Sequence, residues 1–428
     1  MTDNIDDEDY IVGLDIGTSK TVVVIGETLP DGVIRVLGTG VSPSKGANQG
    51  GIVDLDAVVR AIDNAIAEAE SIANNLEISD LILSISGAHV TGLNEMGQAV
   101  LENVVTKEDV EEAKHNASSI RLPNGLEMLH IVPQEFKVDH LPLTKSPIGL
   151  SGNRLTAYVH LIAAHQDWKR NLINAVESNQ RLSVANIVFS GFASAYSVLT
   201  EEEKELGICL IDIGAGTMDV VVYVDGALRF SKSYPFGGNN VTDYLAQVFT
   251  TSRKEAEIIK VNYGSAVSPP TMNADKKFSI SGLAGGAPRI YTKAHVAEIT
   301  ALCYSDLFKL INEDLLKLRQ NLYHQGIKQE LIAGFVLTGG GSQIEDIVKC
   351  AKNVFNAHVR VGNPLNIAGL TDYVNKPQYA TVLGLLQYNF EHPAESKKTI
   401  INNPNVVGMF KGVKKQTRKA IRWIKSNF

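Results

Sequence analysis

One pattern limits what this chain can fold into more than any other, and it occurs twice. From Ile11 to Ile25 an apolar run ends in Asp15, passes through Gly17, Thr18 and Ser19, and resumes as a β-branched run. About two hundred residues later, Ile208 to Tyr223 repeats the design. An apolar run meets Asp212, a turn holds Gly214, Gly216 and Thr217, and β-branched residues follow. Each copy reads as a hairpin whose tip offers backbone N–H groups and hydroxyls to a phosphate. A single glycine-rich tip is usually only a tip. Two copies with an aspartate in the same place predict an internally duplicated α/β chain whose halves face each other across a phosphate. The facing carboxylates of Asp15 and Asp212 suit Mg2+ held through water, since that ion keeps several of its waters. The spacing of a P-loop is absent around Gly13 to Thr21.

Two weaker signals lie in the second half. Phe335 to Leu337 reads as a buried strand that runs into Gly339, Gly340 and Gly341 and then into an amphipathic helix. Glycines there let the backbone approach a flat or anionic ligand, although a tight strand–helix turn reads the same way. Thr251 or Ser252 caps a helix on which Glu257 and Lys260 stand three apart, a spacing equally suited to a surface ion pair of small value.

The C-terminus has a different character. Between residues 405 and 428 there are seven basic residues and no acidic one, although the chain as a whole carries a net charge of -7. Phe410, Val413, Ile421, Ile424 and Phe428 recur at helical spacing with Trp423 beside them, while Lys415, Arg418, Arg422 and Lys425 take the other face. This is the pattern of a helix lying in the interface of a membrane rich in anionic lipids. Nucleic acid is disfavoured as a partner, because the acidic body would repel phosphates at long range. The stretch 391–405, polar and containing Pro393 and Pro404, reads as a flexible linker.

Composition bounds the rest. No apolar run approaches the ~20 residues of a spanning helix. The first residues are acidic, the wrong sign for a signal peptide. Cys209, Cys303 and Cys350 stand far apart and form no metal or redox motif, and the histidines show no ligand spacing.

The ordered set Asp15-Gly17-Thr18, Asp212-Gly214-Gly216-Thr217, Glu257 with Lys260, and Gly339-Gly340-Gly341 resembles the actin-like ATPase superfamily. Val188 to Thr200, Gly369 to Tyr373 and the Trp423-Ile424-Lys425 tail bring the resemblance closer, to the FtsA family of bacterial cell-division proteins, over essentially the whole chain from Tyr10. The resemblance implies an actin-like two-lobed α/β fold of duplicated ribonuclease H-like domains, with an inserted small α+β subdomain and a C-terminal amphipathic helix. In its terms residues 1–85 and 166–203 form subdomain 1A, 86–165 the insertion 1C, 204–230 and 305–390 subdomain 2A, and 231–304 subdomain 2B. It implies ATP with Mg2+ as cofactors. Gly17, Thr18 and Ser19 would hold one side of the phosphates, and Gly214, Gly216 and Thr217 the other, with Gly238 and Asn239 completing the phosphate site. Asp15 and Asp212 would orient Mg2+ and its waters. Gly339 to Gly341 would pass beside the adenosine, and Glu257 and Lys260 would contact ribose or adenine.

The resemblance also implies partners. The C-terminal peptide of FtsZ would dock on 2B, where Arg289 and Tyr304 lie, late division proteins on 1C, and further copies of the chain in filaments. The expected place is the cytoplasmic face of the inner membrane at the division site. One departure matters. Active relatives carry an acidic or amide residue that positions the attacking water at the place of Ser190, and a serine is no base near neutral pH. Tight ATP binding with slow or absent hydrolysis is therefore expected. A soluble small-molecule kinase of the same fold would need a dedicated catalytic aspartate and has no use for the tail. A chaperone-like ATPase would need a separate peptide-binding domain.

Overall fold

The computed structural model describes residues 10–280, 288–324, 326–327 and 330–392. Strands β1 (Tyr10–Ile16) and β2 (Lys20–Thr28) form the first hairpin, antiparallel with Asp15 opposite Val22. β3 (Ile34–Pro43) extends it, and a short ribbon of β4 (Ala47–Asn48) and β5 (Gly51–Ile52) precedes helix α1 (Leu55–Ile72). Asp54 caps α1 by accepting from the Ala57 N–H at 3.0 Å. The apolar residues Val58, Ala61, Ile62, Ala65, Ile66 and Ala69 recur every three or four positions and are the ones α1 buries. β6 (Asp80–Ile85) lies parallel to β1.

The chain then leaves this sheet for β7 (Thr91–Val100), α2 (Lys107–Ser118), β8 (Leu126–Val138) and β9 (Arg154–His165). Thr106 and Asp109 make a reciprocal capping box that starts α2. The helix lies so close to β7 that a methyl group on Gly97 would meet Ala117 N at 2.1 Å. The chain returns through α3 (Gln166–Glu177), β10 (Ser183–Phe189), α4 (Ser190–Val198) and α5 (Glu201–Leu206).

The second half opens with β11 (Ile208–Ile213), β12 (Met218–Val224) and β13 (Ala227–Tyr234). It continues through α6 (Gly238–Val248), α7 (Arg253–Tyr263), the ribbon β14 (Lys277–Ile280) and β15 (Arg289–Thr292), and the long α8 (Lys293–His324). β16 (Gly334–Thr338), α9 (Ile347–Phe355) and β17 (Val359–Val361) complete it. The chain ends, within the described residues, with β18 (Ile367–Gly369), α10 (Thr371–Val374) and α11 (Ala380–Glu391).

The two sheets repeat one topology. In the first the order is β10-β6-β1-β2-β3, and in the second β17-β16-β11-β12-β13. In both, the three leading strands are antiparallel neighbours and the other two add in parallel. Each sheet then gains an edge: β18 beside β3, and the inserted strands β7-β9-β8 beside β13. The second junction is polar. His160 joins Asn94 Oδ1 at 2.7 Å and Ser231 Oγ at 2.8 Å, Gln134 donates to Leu228 O at 2.6 Å, and Arg229 pairs with Glu135 at 2.6 Å.

Two expectations are corrected. Residues 305–390 do not all belong with the second half, because β18 pairs with β3 and α11 packs on β1 and α4. Two glycines permit this: a methyl group on Gly384 would meet Ala193 O at 1.8 Å, and one on Gly13 would meet Leu386 at 2.7 Å. Gly339 to Gly341 lead not into an amphipathic helix but into a 3-10 turn, Gly340–Gln343, and α9 starts only at Ile347. The linker from residue 393 and the segment 406–428, with Phe410, Val413, Lys415, Arg418, Ile421, Arg422, Trp423, Ile424, Lys425 and Phe428, lie outside the described residues. Among the described residues no helix is long and apolar enough to cross a membrane.

Candidate functional site

The two hairpin tips are closed by the same bond. Gly17 N–H donates to Lys20 O at 3.0 Å, and Gly214 N–H donates to Thr217 O at 2.9 Å. Asp15, Gly17, Lys20 and Val22 of the first copy thus correspond to Asp212, Gly214, Thr217 and Asp219 of the second. The tips meet across a cleft of about 500 Å3, where a methyl group on Gly216 would come within 2.4 Å of Thr18 Oγ1. Ser86 and Gln49 stitch the base. Ser86 Oγ donates to Asp219 Oδ1 at 2.8 Å and lies 3.1 Å from the hydroxyl of Thr217, and Gln49 Nε2 donates to Pro235 O at 2.8 Å.

Of the residues singled out in the sequence, Asp15, Gly17, Thr18, Ser19, Asp212, Gly214, Gly216, Thr217, Gly238, Glu257, Lys260 and Gly339 to Gly341 all line this cleft. Asn239 does not. Its N–H donates to Ala215 O at 2.8 Å, and that of Gly238 to Gly214 O at 3.0 Å. These two amides therefore brace the second tip, while Gly238 itself lines the cleft. Lys260 is also bonded within the protein. Its ammonium reaches Gly238 O at 3.0 Å, Thr242 Oγ1 at 2.9 Å and Glu257 Oε2 at 2.8 Å, so all three donors are engaged. Lys260 positions the half-exposed Glu257 carboxylate, which keeps acceptor capacity toward the cleft.

The carboxylates are the electrostatic centre. Ser84 Oγ donates to Asp15 at 2.6 Å. Ser194 and Thr381 donate to Asp212 at 2.5 and 3.1 Å, so α4 and α11 are both tied to it. A side chain on Gly339, at φ +80, would strike Asp212 Oδ1. Burial raises the Asp15 carboxyl above its ordinary range, against the hydroxyl of Ser84 and the charge of Lys20. Burial, with repulsion from Asp15, pushes Asp212 up to about 6. Asp219 is pushed up to about 7 by burial and by its neighbours Asp212 and Asp15. Three buried acids in mutual repulsion fit a site that takes a cation. No three His, Cys, Asp or Glu side chains among the described residues converge as direct metal ligands.

Sequence reasoning missed Asp219. Its signal was present: it is the one acid inside the β-branched run Met218 to Val222, opposite Asp212, where the first copy has Val22. Ser190 starts α4 and lines the cleft, and the side chain of Asp219 packs against the next residue, Gly191. Tyr304 is buried at 1% exposure and lines the cleft, so it cannot meet a peptide on the surface. The Arg289 guanidinium is held by the carbonyls of Phe249 and Thr250.

Comparison with known proteins places this architecture. The chain is 45% identical over 386 residues to the cell division protein FtsA of Escherichia coli K12, covering 90% of this chain and 91% of the relative. The chain belongs to the FtsA family. The FtsA family profile matches residues 209–384, and that of the "SHS2 domain inserted in FTSA" matches residues 87–163, the segment that carries β7, α2, β8 and β9. Cell division protein FtsA of Buchnera aphidicola from Schizaphis graminum is 40% identical over 98% of both chains. Among solved structures, the PilM-PilN type IV pilus biogenesis complex matches with a TM-score of 0.60 at 18% identity, covering 88% of this chain and 98% of that one. MreB5 of Spiroplasma citri bound to ADP matches with a TM-score of 0.54 at 14% identity, covering 90% and 99%. The fold of this FtsA-family chain is therefore the actin-like one, with an inserted SHS2 domain.

Proposed function

We propose that this cell-division protein binds ATP with Mg2+ between its two hairpin tips, and in that state assembles into filaments that tie FtsZ polymers to the membrane. The observation that carries the reading is the contact of two matched, amide-rich tips, Thr18 against Gly216, beside three buried carboxylates. The amides of Thr18, Ser19, Ala215 and Gly216 carry no backbone bond among the described residues, so both tips retain donors for a polyphosphate. Asp15 and Asp212 hold Mg2+ through its waters, and the ion neutralises phosphate charge when bound. That a fold neighbour is known bound to ADP supports a nucleotide as the occupant. ATP acts as a conformational clamp: it joins both halves and favours the state that polymerises.

The remainder of the function rests on the family and on the sequence. The FtsZ C-terminal peptide docks within 231–304, late division proteins on the inserted domain, and residues 406–428 lie on anionic lipid at the cytoplasmic face of the inner membrane, at the division site. One tail binds weakly, and several on one filament bind well through effective concentration. Flotation with anionic liposomes tests this part. The full chain with MgATP floats, while deletion of 406–428, or Trp423→Glu in the apolar face, abolishes flotation and leaves ATP binding intact. An intact chain that stays in the soluble fraction would remove the membrane role.

A further inference from the structure

Away from the cleft, the two sheets end on strands that face each other. β10 closes one side of the first sheet and β8 one side of the second, and the two touch without joining the same sheet. Phe189, the last residue of β10, is fully buried there, so its amide needs an acceptor. It finds one in a side chain and donates to His130 Nε2 at 3.1 Å. β8 slips its register against β9 between Met128 and His130, an irregularity of the kind that re-aims a side chain. Because Nε2 accepts, the proton of the neutral ring lies on Nδ1, which faces the Tyr388 hydroxyl at 3.4 Å. Burial, with the nearby charge of His392, holds the ring neutral down to about 3, the state the Phe189 bond requires. Tyr388 stands one turn before the end of α11. Its ring centre is 4.8 Å from that of His392, and the Tyr196 hydroxyl lies 3.3 Å from His392 Nε2. One imidazole therefore touches the inserted domain through β8, the first sheet through Phe189 and the last helix through Tyr388.

We propose that His130 is a latch that registers the inserted domain against α11, so that a displacement of that domain is felt at the end of the helix, where residues 393–428 begin. An apolar side chain at this place would fill the space and leave the Phe189 amide buried without a partner. A charged one would be buried without a counterion. The neutral imidazole accepts on one side and donates on the other. Each bond orients the ring for the other, so the two are made and lost together. A load on the inserted domain thus reaches the C-terminal segment by a route that does not pass through the cleft, and the inference needs no nucleotide.

Hydrogen exchange of the full chain, read by mass spectrometry for the wild type, His130→Phe and Tyr388→Phe, tests the proposal. His130→Phe keeps a ring and removes both bonds. It is expected to speed exchange about fivefold or more in 183–190 and also in 385–392, on a different element, while 208–224 in the second sheet exchanges as in the wild type. Tyr388→Phe removes only the hydroxyl from α11. It is expected to speed exchange about threefold in 126–134, on the inserted domain. Faster exchange in His130→Phe confined to β8 and β10, with 385–392 unchanged, overturns the latch and leaves a local seam. Unchanged exchange of 126–134 in Tyr388→Phe overturns it as well. If 208–224 also exchanges faster in His130→Phe, that variant is broadly unfolded and Tyr388→Phe decides alone: faster exchange of 126–134 upholds the latch, and unchanged exchange overturns it.

Discussion

Gly216 lies so close to Thr18 that there is no room for a side chain between them: a single methyl group would stand 2.4 Å from the threonine oxygen. The contact joins residues about two hundred positions apart, one from each copy of the repeated hairpin. It sets the distance between the two sets of turn amides, and with it the width of anything held between them.

Gly216→Val therefore wedges the tips apart. Overpacking of this kind costs about 1–3 kcal/mol, and here it falls on the cleft and not on either sheet. The expected result is a loss of MgATP affinity of about tenfold or more, with a urea midpoint lowered by no more than that cost requires. Equilibrium titration and denaturation on the same preparation check it.

Gly384→Ala is expected to act on the fold. The added methyl group would overlap Ala193 O and lift α11 from α4. The cost is about 1–3 kcal/mol of stability, read from denaturant unfolding. Because Thr381 on α11 and Ser194 on α4 both hold Asp212, the same variant also weakens Mg2+-dependent nucleotide binding.

The junction of the inserted domain with β13 makes stability depend on pH. Burial, with the nearby charge of Arg229, holds His160 neutral down to about 3. The unfolded chain takes up that proton near 6.5, so it binds more protons than the folded chain between about pH 6.5 and 3, and stability falls as pH falls through this window. His160 accounts for about 2 kcal/mol of that loss by pH 5. Relative to the wild type, His160→Gln should be less stable at pH 7 but lose less on going to pH 5. Parallel unfolding curves across the pH range would contradict the assignment.

ATP turnover should be slow. Ser190 stands at the place of the water-positioning residue and supplies no base, so single-turnover hydrolysis is expected well below about 1 s⁻¹, the low end of ordinary enzymes. Asp219, which lines the cleft and is pushed up to about 7 by burial and by its acidic neighbours, is the carboxylate to test for the turnover that remains. Asp219→Asn should remove it, and Ser190→Glu should not reduce it.

What was legible in the sequence was local. Apolar run, aspartate and glycine turn lie within a dozen residues, so both tips and both carboxylates could be read directly, and their repetition carried the two-lobed fold. What was not legible comes from pairings distant in the chain. The amides of Gly238 and Asn239 turn inward because the carbonyls of Gly214 and Ala215 need partners. Lys260 is engaged because α6 and α7 pack together, and nothing in the Glu257 spacing shows that. The return of α11 to the first sheet depends on Gly13 and Gly384, each unremarkable in its own segment. Asp219 looked like one residue of a strand until Ser86, from an element far away, proved to hold it.

The central claim is that one nucleotide lies between the two tips. A crystal structure of the chain grown with MgATP tests it most directly. The account predicts phosphates bracketed by the amides of Thr18 and Ser19 on one side and of Ala215 and Gly216 on the other, with Mg2+ and its waters against Asp15 and Asp212. A nucleotide bound elsewhere, or a cleft that stays empty at saturating MgATP, would contradict it.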